Sequence, residues 1–168
     1  MKEIADRRAD LATLSPGTRL AYSSFLVFSL ASYVVMAVLG TQRTGWTPGS
    51  ISKYWLGGGD AYGKTPAELL EVTHFHLFSM PMFLFVQAHV FLMSRFPPAW
   101  KRPLVVAAFV GAALDLAAPW LVLALGPGFA WTKLAARGLL APTLVLFAVV
   151  PLVEMTLLAR RRSTGTAR

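Results

Sequence analysis

The chain contains no cysteine, and this absence removes several classes of function. Disulfides, iron–sulfur clusters, thiolate metal sites and covalently attached c-type haem all need cysteine. Charged residues are also scarce: they make up 14% of the 168 residues, whereas 55% are hydrophobic and the mean hydropathy is +0.56. Soluble domains carry about 25% charged residues. The composition therefore predicts an integral membrane protein whose first partner is the lipid bilayer.

Acidic residues are half as frequent as basic ones, which gives a net charge of +8. A basic chain often indicates nucleic-acid binding, but here the lysines and arginines lie at the ends of apolar runs, where they set membrane topology. We therefore expect no nucleic-acid partner.

Four apolar runs are each about as long as a bilayer requires, and they cover residues 20–39, 70–94, 104–125 and 134–159. Polar tails are predicted over residues 1–19 and 160–168, and residues 40–64 read as an interfacial loop rich in Gly, Pro and aromatic residues. Short connections favour antiparallel neighbours. The prediction is an all-α fold, a transmembrane four-helix up-down bundle, with residues 1–168 forming a single membrane domain.

The distribution of positive charge predicts the orientation. Of the 16 lysines and arginines, 11 lie in the N-terminal tail, the loop after the second span and the C-terminal tail. The positive-inside rule then places both termini in the cytoplasm.

The second span carries all three histidines of the chain, His74, His76 and His89. Thr65, Pro66 and Glu68 form the pattern of a capping box with proline at the first helical position, which predicts where this helix begins. Ionisable side chains inside a membrane span are costly and usually mark function or a buried partner. The candidate site is therefore expected on this helix.

Helical periodicity divides these polar residues between two sides of the helix. Glu71, His74 and His89 fall, with Glu68, within an arc of roughly 120°, whereas His76 points nearly opposite to His74. Fifteen residues separate His74 from His89, a rise of about 22 Å. The two imidazoles therefore mark two depths in the membrane and cannot share one iron within a single helix.

Three interpretations remain open from the residues. In the first, the histidines are structural, with His89 paired to Glu154 and Glu71 paired to Arg137. In the second, the chain binds haem b through histidine ligands. In the third, the polar groups bind a transition-metal ion or conduct protons.

The haem interpretation assigns His74, His76, His89 and Arg137 to cofactor binding. The other spans contain no histidine. A second axial ligand would be Met36 at the extracytoplasmic level, Met155 at the cytoplasmic level, or a histidine of another copy in a homodimer; alternatively, the iron is five-coordinate. Arg137, with Tyr54 and Trp55, would receive the propionates.

The metal interpretation takes Glu71, His74, His76 and His89 as ligands of copper, zinc or iron. Asp115 and Glu154 are candidate proton-relay groups or structural acids, and Asp115 is expected either to relay protons or to pair with Arg137 or with a Tyr or Ser hydroxyl. The carboxylate-bridged metal sites that use a Glu-x-x-His unit need two such units, and this chain has one. No residue is predicted to be catalytic.

The stretch ELLEVTHFHLFSMPMFLFVQAHVFLMSR, with LDLAAPWL and VPLVEMTLL in the later spans, resembles a group of small, uncharacterised four-helix bacterial inner-membrane proteins with a THxH motif on the second helix. The resemblance implies the fold and a location in the bacterial inner membrane. The two histidine levels are also loosely similar to those of membrane b-type cytochromes.

These patterns predict a small haem b electron-transfer protein, or a subunit of a respiratory complex, operating between the quinone pool and an extracytoplasmic partner. The alternatives are a non-catalytic accessory membrane subunit, a metal-binding protein and a proton-conducting protein.

Overall fold

The computed structural model describes residues 11, 14–59 and 61–165, and these residues contain five α-helices. The helices are α1 (Pro16–Arg43), α2 (Pro48–Leu56), α3 (Pro66–Leu92), α4 (Pro98–Leu125) and α5 (Ala130–Gly165). A short 3₁₀ turn, Pro127–Phe129, precedes α5, and the two-residue strands β1 (Gly57–Gly58) and β2 (Ala61–Tyr62) pair after α2. The predicted all-α class is confirmed.

Among the described residues, four segments are long and apolar enough to cross a membrane: Pro16–Arg43, Pro66–Leu92, Pro98–Leu125 and Pro127–Leu157. They correspond to the four predicted spans, and the helices extend beyond most of the apolar runs because capped polar turns continue them. Residues 16–19 and 160–165, predicted as tail, are helical. The remaining parts of the predicted tails, residues 1–10, 12–13 and 166–168, lie outside the described residues.

The helix α2 lies in the segment predicted to be a loop. Thr47 and Ser50 form a reciprocal capping box, and Pro48 occupies the first turn. This start signal is present in the sequence, but the helix is only nine residues long and lies among glycines, prolines and exposed aromatic residues. Packing against α4 and α5 stabilises it, since an isolated helix this short is marginal in water.

The predicted start of α3 is confirmed. Thr65 accepts a hydrogen bond from the backbone N–H of Glu68, and the Glu68 carboxylate accepts one from the backbone N–H of Thr65 at 2.8 Å. These bonds satisfy two donors that a helix start otherwise leaves unpaired. They fix the residue at which the helix begins and therefore the directions in which the histidine side chains project from it.

The last helix, α5, contacts each of the other four. Its closest approach is to α4 at Gly111, where an added Cβ would lie 3.0 Å from Leu140 Cγ and 3.1 Å from Leu139 Cβ. A small residue there lets the two backbones approach, as is common between membrane helices. The α4–α5 pair is the frame against which α1 and α3 pack.

Buried side chains form three clusters. One joins α3, α4 and α5 around Phe91 and Phe147, whose rings stack at 4.6 Å, and a second lies between α1, α3 and α5 around Leu26 and Met155. The third packs α2 against the start of α3 and the end of α4 around Trp55. Outside these clusters the helices expose large apolar side chains, which is the surface expected toward lipid.

Candidate functional site

The helix α3 has one buried side and one exposed side. The buried side packs into the bundle through Leu84, Gln87, Ala88, Val90 and Phe91. The exposed side, which we call the outward face of α3, consists of Glu71, His74, Phe78, Phe85 and His89. Two of the three predicted histidines therefore point away from the interior of the bundle.

At the end of α3 nearer its start, Glu71 and His74 lie one turn apart on the outward face. Both are exposed, and within the described ranges neither has a hydrogen-bond or ion-pair partner. The predicted pairing of Glu71 with Arg137 is wrong, because Arg137 is bound to other groups. A carboxylate and an imidazole on a membrane helix are thus left open to whatever adjoins this face.

At the other end, His89 is exposed and stacks on Phe85, with ring centroids 6.3 Å apart. The predicted pairing of His89 with Glu154 is wrong. The Glu154 carboxylate instead accepts a hydrogen bond from the backbone N–H of Arg95 at 2.8 Å and lies 3.6 Å from Arg95 Nε. Glu154 therefore stabilises the turn after α3 and leaves the imidazole free.

The third histidine is placed differently. His76 is half-buried, its Nδ1 lies 2.8 Å from the carbonyl oxygen of Val72, and its ring meets Phe75 edge-on at 5.7 Å. This local bond within the helix gives one ring nitrogen a partner. The divergence of His76 from His74 agrees with the predicted helical geometry.

Arg137 joins α5 to the end of α1. Its guanidinium donates hydrogen bonds to the carbonyl oxygen of Gly45 and the hydroxyl of Thr44, and it lies 4.8 Å from the Trp46 ring. Both terminal nitrogens are therefore engaged, so contact with a propionate would require exchange of these bonds. The predicted propionate role of Arg137, Tyr54 and Trp55 stays a prediction.

Asp115 on α4 forms an ion pair with Lys133 on α5, at 2.8 Å between Oδ1 and Nζ. The sequence suggested Arg137 or a hydroxyl as its partner and missed Lys133. The signal was present, since Lys133 precedes Arg137 by four residues and therefore shares its side of α5. This pair gives Asp115 a structural role; its predicted part in proton transfer stays a prediction.

A second polar contact that the sequence did not indicate joins α1 to α3. The Tyr33 hydroxyl donates a hydrogen bond to Oε1 of Gln87, which is fully buried. Nε2 of Gln87 is also buried and has no partner within the described ranges. This pair fixes the contact of α1 with α3 in the interior of the bundle, on the side of α3 opposite to His74 and His89.

We expect Tyr33→Phe to lower the free energy of unfolding by about 1–3 kcal/mol, because it leaves the buried Gln87 amide without its one partner. Tyr33→Phe with Gln87→Leu should recover much of this loss, since no unpaired amide remains. Unfolding in detergent followed by tryptophan fluorescence measures both. Tyr62→Phe is the control, because Tyr62 is 97% exposed; an equal loss in the single and double variants would contradict the assignment.

The two methionines predicted as second haem ligands differ in their surroundings. Met155 is 1% exposed and packs in the cluster around Leu26, whereas His89 is exposed. Met36 is 57% exposed on α1. Within the described part of the chain, no three His, Cys, Asp or Glu residues form a metal-binding group.

A comparison with protein families gives one match. A family model described as a transmembrane helical domain covers residues 45–163, which span α2 to most of α5. No curated protein and no solved structure matches the chain.

Proposed function

The chain belongs to the Aq_1264_TM family of transmembrane helical domains, and we propose that it is a haem b-binding electron-transfer protein in which His74 and His89 are axial ligands. It would carry electrons across the bacterial inner membrane between the quinone pool and an extracytoplasmic partner, alone or as a subunit of a respiratory complex. The membrane fold is the setting of this proposal, and the placement of the imidazoles supports its chemistry.

The observation that carries the proposal is the exposure of both imidazoles on one face of a membrane helix, at two depths about 22 Å apart. An imidazole facing hydrocarbon has no partner for its ring N–H, so such a position is costly unless something covers it. Imidazole is also a common axial ligand of haem iron. A pair of such groups at two depths fits two cofactors in series.

On the outward face of α3 each chain contributes a single imidazole at each depth, so the second ligand would come from outside the chain. The buried Met155 cannot meet an exposed His89 at one iron unless the inner cluster repacks. A histidine of a second copy fits both depths. Bound haem would supply a one-electron iron centre; the protein's own residues would hold it, exclude water and set its environment.

The apolar surroundings suit a porphyrin. Phe78 and Phe85 lie between the two histidine levels and are 71% and 66% exposed. They offer flat apolar surface where a macrocycle or a second helix would otherwise meet lipid. No acidic residue follows Glu71 on this helix, so the His89 imidazole has no anionic neighbour along α3.

The absorption spectrum of the purified protein, oxidised and then reduced with dithionite, tests the proposal. We expect a Soret band that shifts on reduction and sharp α and β bands, as bis-imidazole haem gives. Expression with ample haem followed by no Soret band would overturn it. Stoichiometric copper, zinc or iron without porphyrin would instead support the metal-binding alternative, and neither metal nor porphyrin would support an accessory subunit.

A further inference from the structure

We infer that two copies of the chain pair through the outward face of α3, about a two-fold axis along the bilayer normal. The inference rests on the proposed function for the identity of the ligands that the second copy supplies. The contact itself is argued from the surface of the chain and is tested without haem.

Symmetry limits how a second copy can complete both histidine levels. A two-fold axis along the bilayer normal keeps every residue at its own depth, so each residue on the axis faces its own copy. His74 then lies level with His74 of the second copy, and the two His89 side chains are level with each other. A two-fold axis in the membrane plane would invert one copy and contradict the orientation set by the positive charges.

The exposed polar groups on the outward face of α3 favour an arrangement in which another protein surface covers this face. Three ionisable groups, Glu71, His74 and His89, are exposed on the outward face of α3. In lipid each lacks a partner, whereas against a second copy the imidazoles are removed from hydrocarbon together. The two Glu71 carboxylates also approach each other, but they lie toward the aqueous end of α3, where water and ions screen repulsion.

The surface next to the outward face of α3 is complementary in shape to the side chains that project from that face. An apolar groove of about 440 Å³ runs between α3 and α4 and is lined by Leu77, Pro81, Phe109, Ala112, Ala113, Leu116 and Ala117. Phe78 follows Leu77 directly and lies at the depth of the groove, and its ring is 71% exposed.

Under the two-fold axis, Phe78 of each copy stands level with the groove of the other. A projecting ring and an adjoining recess whose α4 wall includes three alanines form the self-complementary patch that an isologous interface requires. Alanines on α4 keep the recess open, in the way small residues admit a neighbour between membrane helices. The groove therefore belongs to the same interface as the histidines.

The absence of cysteine makes the test direct, because an introduced cysteine is the only thiol in the chain. Phe78→Cys and Phe85→Cys would each be treated in native membranes with a short, membrane-permeable bismaleimide. We expect a product of twice the chain mass as the main species for both. Val145→Cys is the matched control: Val145 is 45% exposed on α5, and the Phe91–Phe147 contact places it near the depth of Phe85.

A mixed experiment tests the groove. Phe78→Cys and Ala113→Cys chains with different tags would be co-expressed, and we expect a cross-linked product that carries both tags. Monomer alone for Phe78→Cys and Phe85→Cys, or equal cross-linking at Val145→Cys, would overturn the inference. Cross-linking without a Soret band would support the dimer and refute haem binding. Haem binding by a monomer would support haem binding and refute the dimer.

Discussion

Replacing His89 with alanine is expected to remove about half of the haem bound per chain and to leave the other half spectrally intact, because under the proposed function each histidine depth would hold its own iron. His74→Ala should remove the complementary half, and the double variant should bind none. Haem content from the pyridine haemochrome assay and a redox titration of the single variants measure this. The wild-type titration should show two components, and each single variant should retain a different one.

The control for this series is within the same helix. His76 is half-buried, and its Nδ1 lies 2.8 Å from the Val72 carbonyl oxygen on another side of α3. We expect His76→Ala to keep the full absorbance and both redox components. Loss of haem in His76→Ala with retention in His74→Ala would show that the outward face of α3 does not supply the ligands.

The second large effect is expected at the ion pair between α4 and α5. Lys133→Met should lower the free energy of unfolding by about 3–5 kcal/mol, since it leaves the Asp115 carboxylate without its closest cation in a segment that crosses the membrane. Both side chains are largely buried, with 14% of Lys133 and 21% of Asp115 exposed. Arg137 also interacts electrostatically with Asp115 and still does so in the variant. The expected loss of unfolding free energy therefore lies toward the lower end of this range.

Asp115→Leu in the Lys133→Met background should recover most of this stability, because an apolar pair of similar volume avoids the unpaired charge. The matched control is Lys64→Met. Lys64 forms a pair with Glu68 at 3.2 Å whose side chains are 36% and 49% exposed, so its loss should cost about 0–1 kcal/mol. Denaturation in detergent measures all three variants; equal effects of the two lysine changes would show that the Asp115 pair contributes no more than a surface pair.

Much of the fold was predictable because the bilayer leaves few alternatives. A run of about 20 apolar residues in a membrane must be helical to satisfy its backbone, so the four spans follow from hydropathy. The start of α3 followed from the Thr65 and Glu68 side chains, which act on backbone groups three residues away. The helix α2 was missed because nine residues among glycines and aromatics carry little periodic signal, and tertiary packing supplies its stability.

The candidate site was predictable only in part. The sequence located the imidazoles on one helix, their two depths and the divergence of His76, since all three follow from residue spacing along a helix. It paired Glu154 with His89 instead of Arg95. It did not identify Lys133 as the ion-pair partner of Asp115. Those pairs join residues far apart in the chain, and which ones meet depends on how the helices rotate against each other.

The sequence alone determined that this chain crosses a membrane four times and carries its ionisable rings at two levels of one helix, because hydrophobic length and helical rise are local properties. Tertiary structure decided which side of that helix faces out. The helix α3 is apolar on nearly all sides, so its pattern does not specify a buried face, and the fit of Leu84, Gln87 and Phe91 against α1, α4 and α5 selects one. That choice turns His74 and His89 outward, to the exposed surface of the bundle.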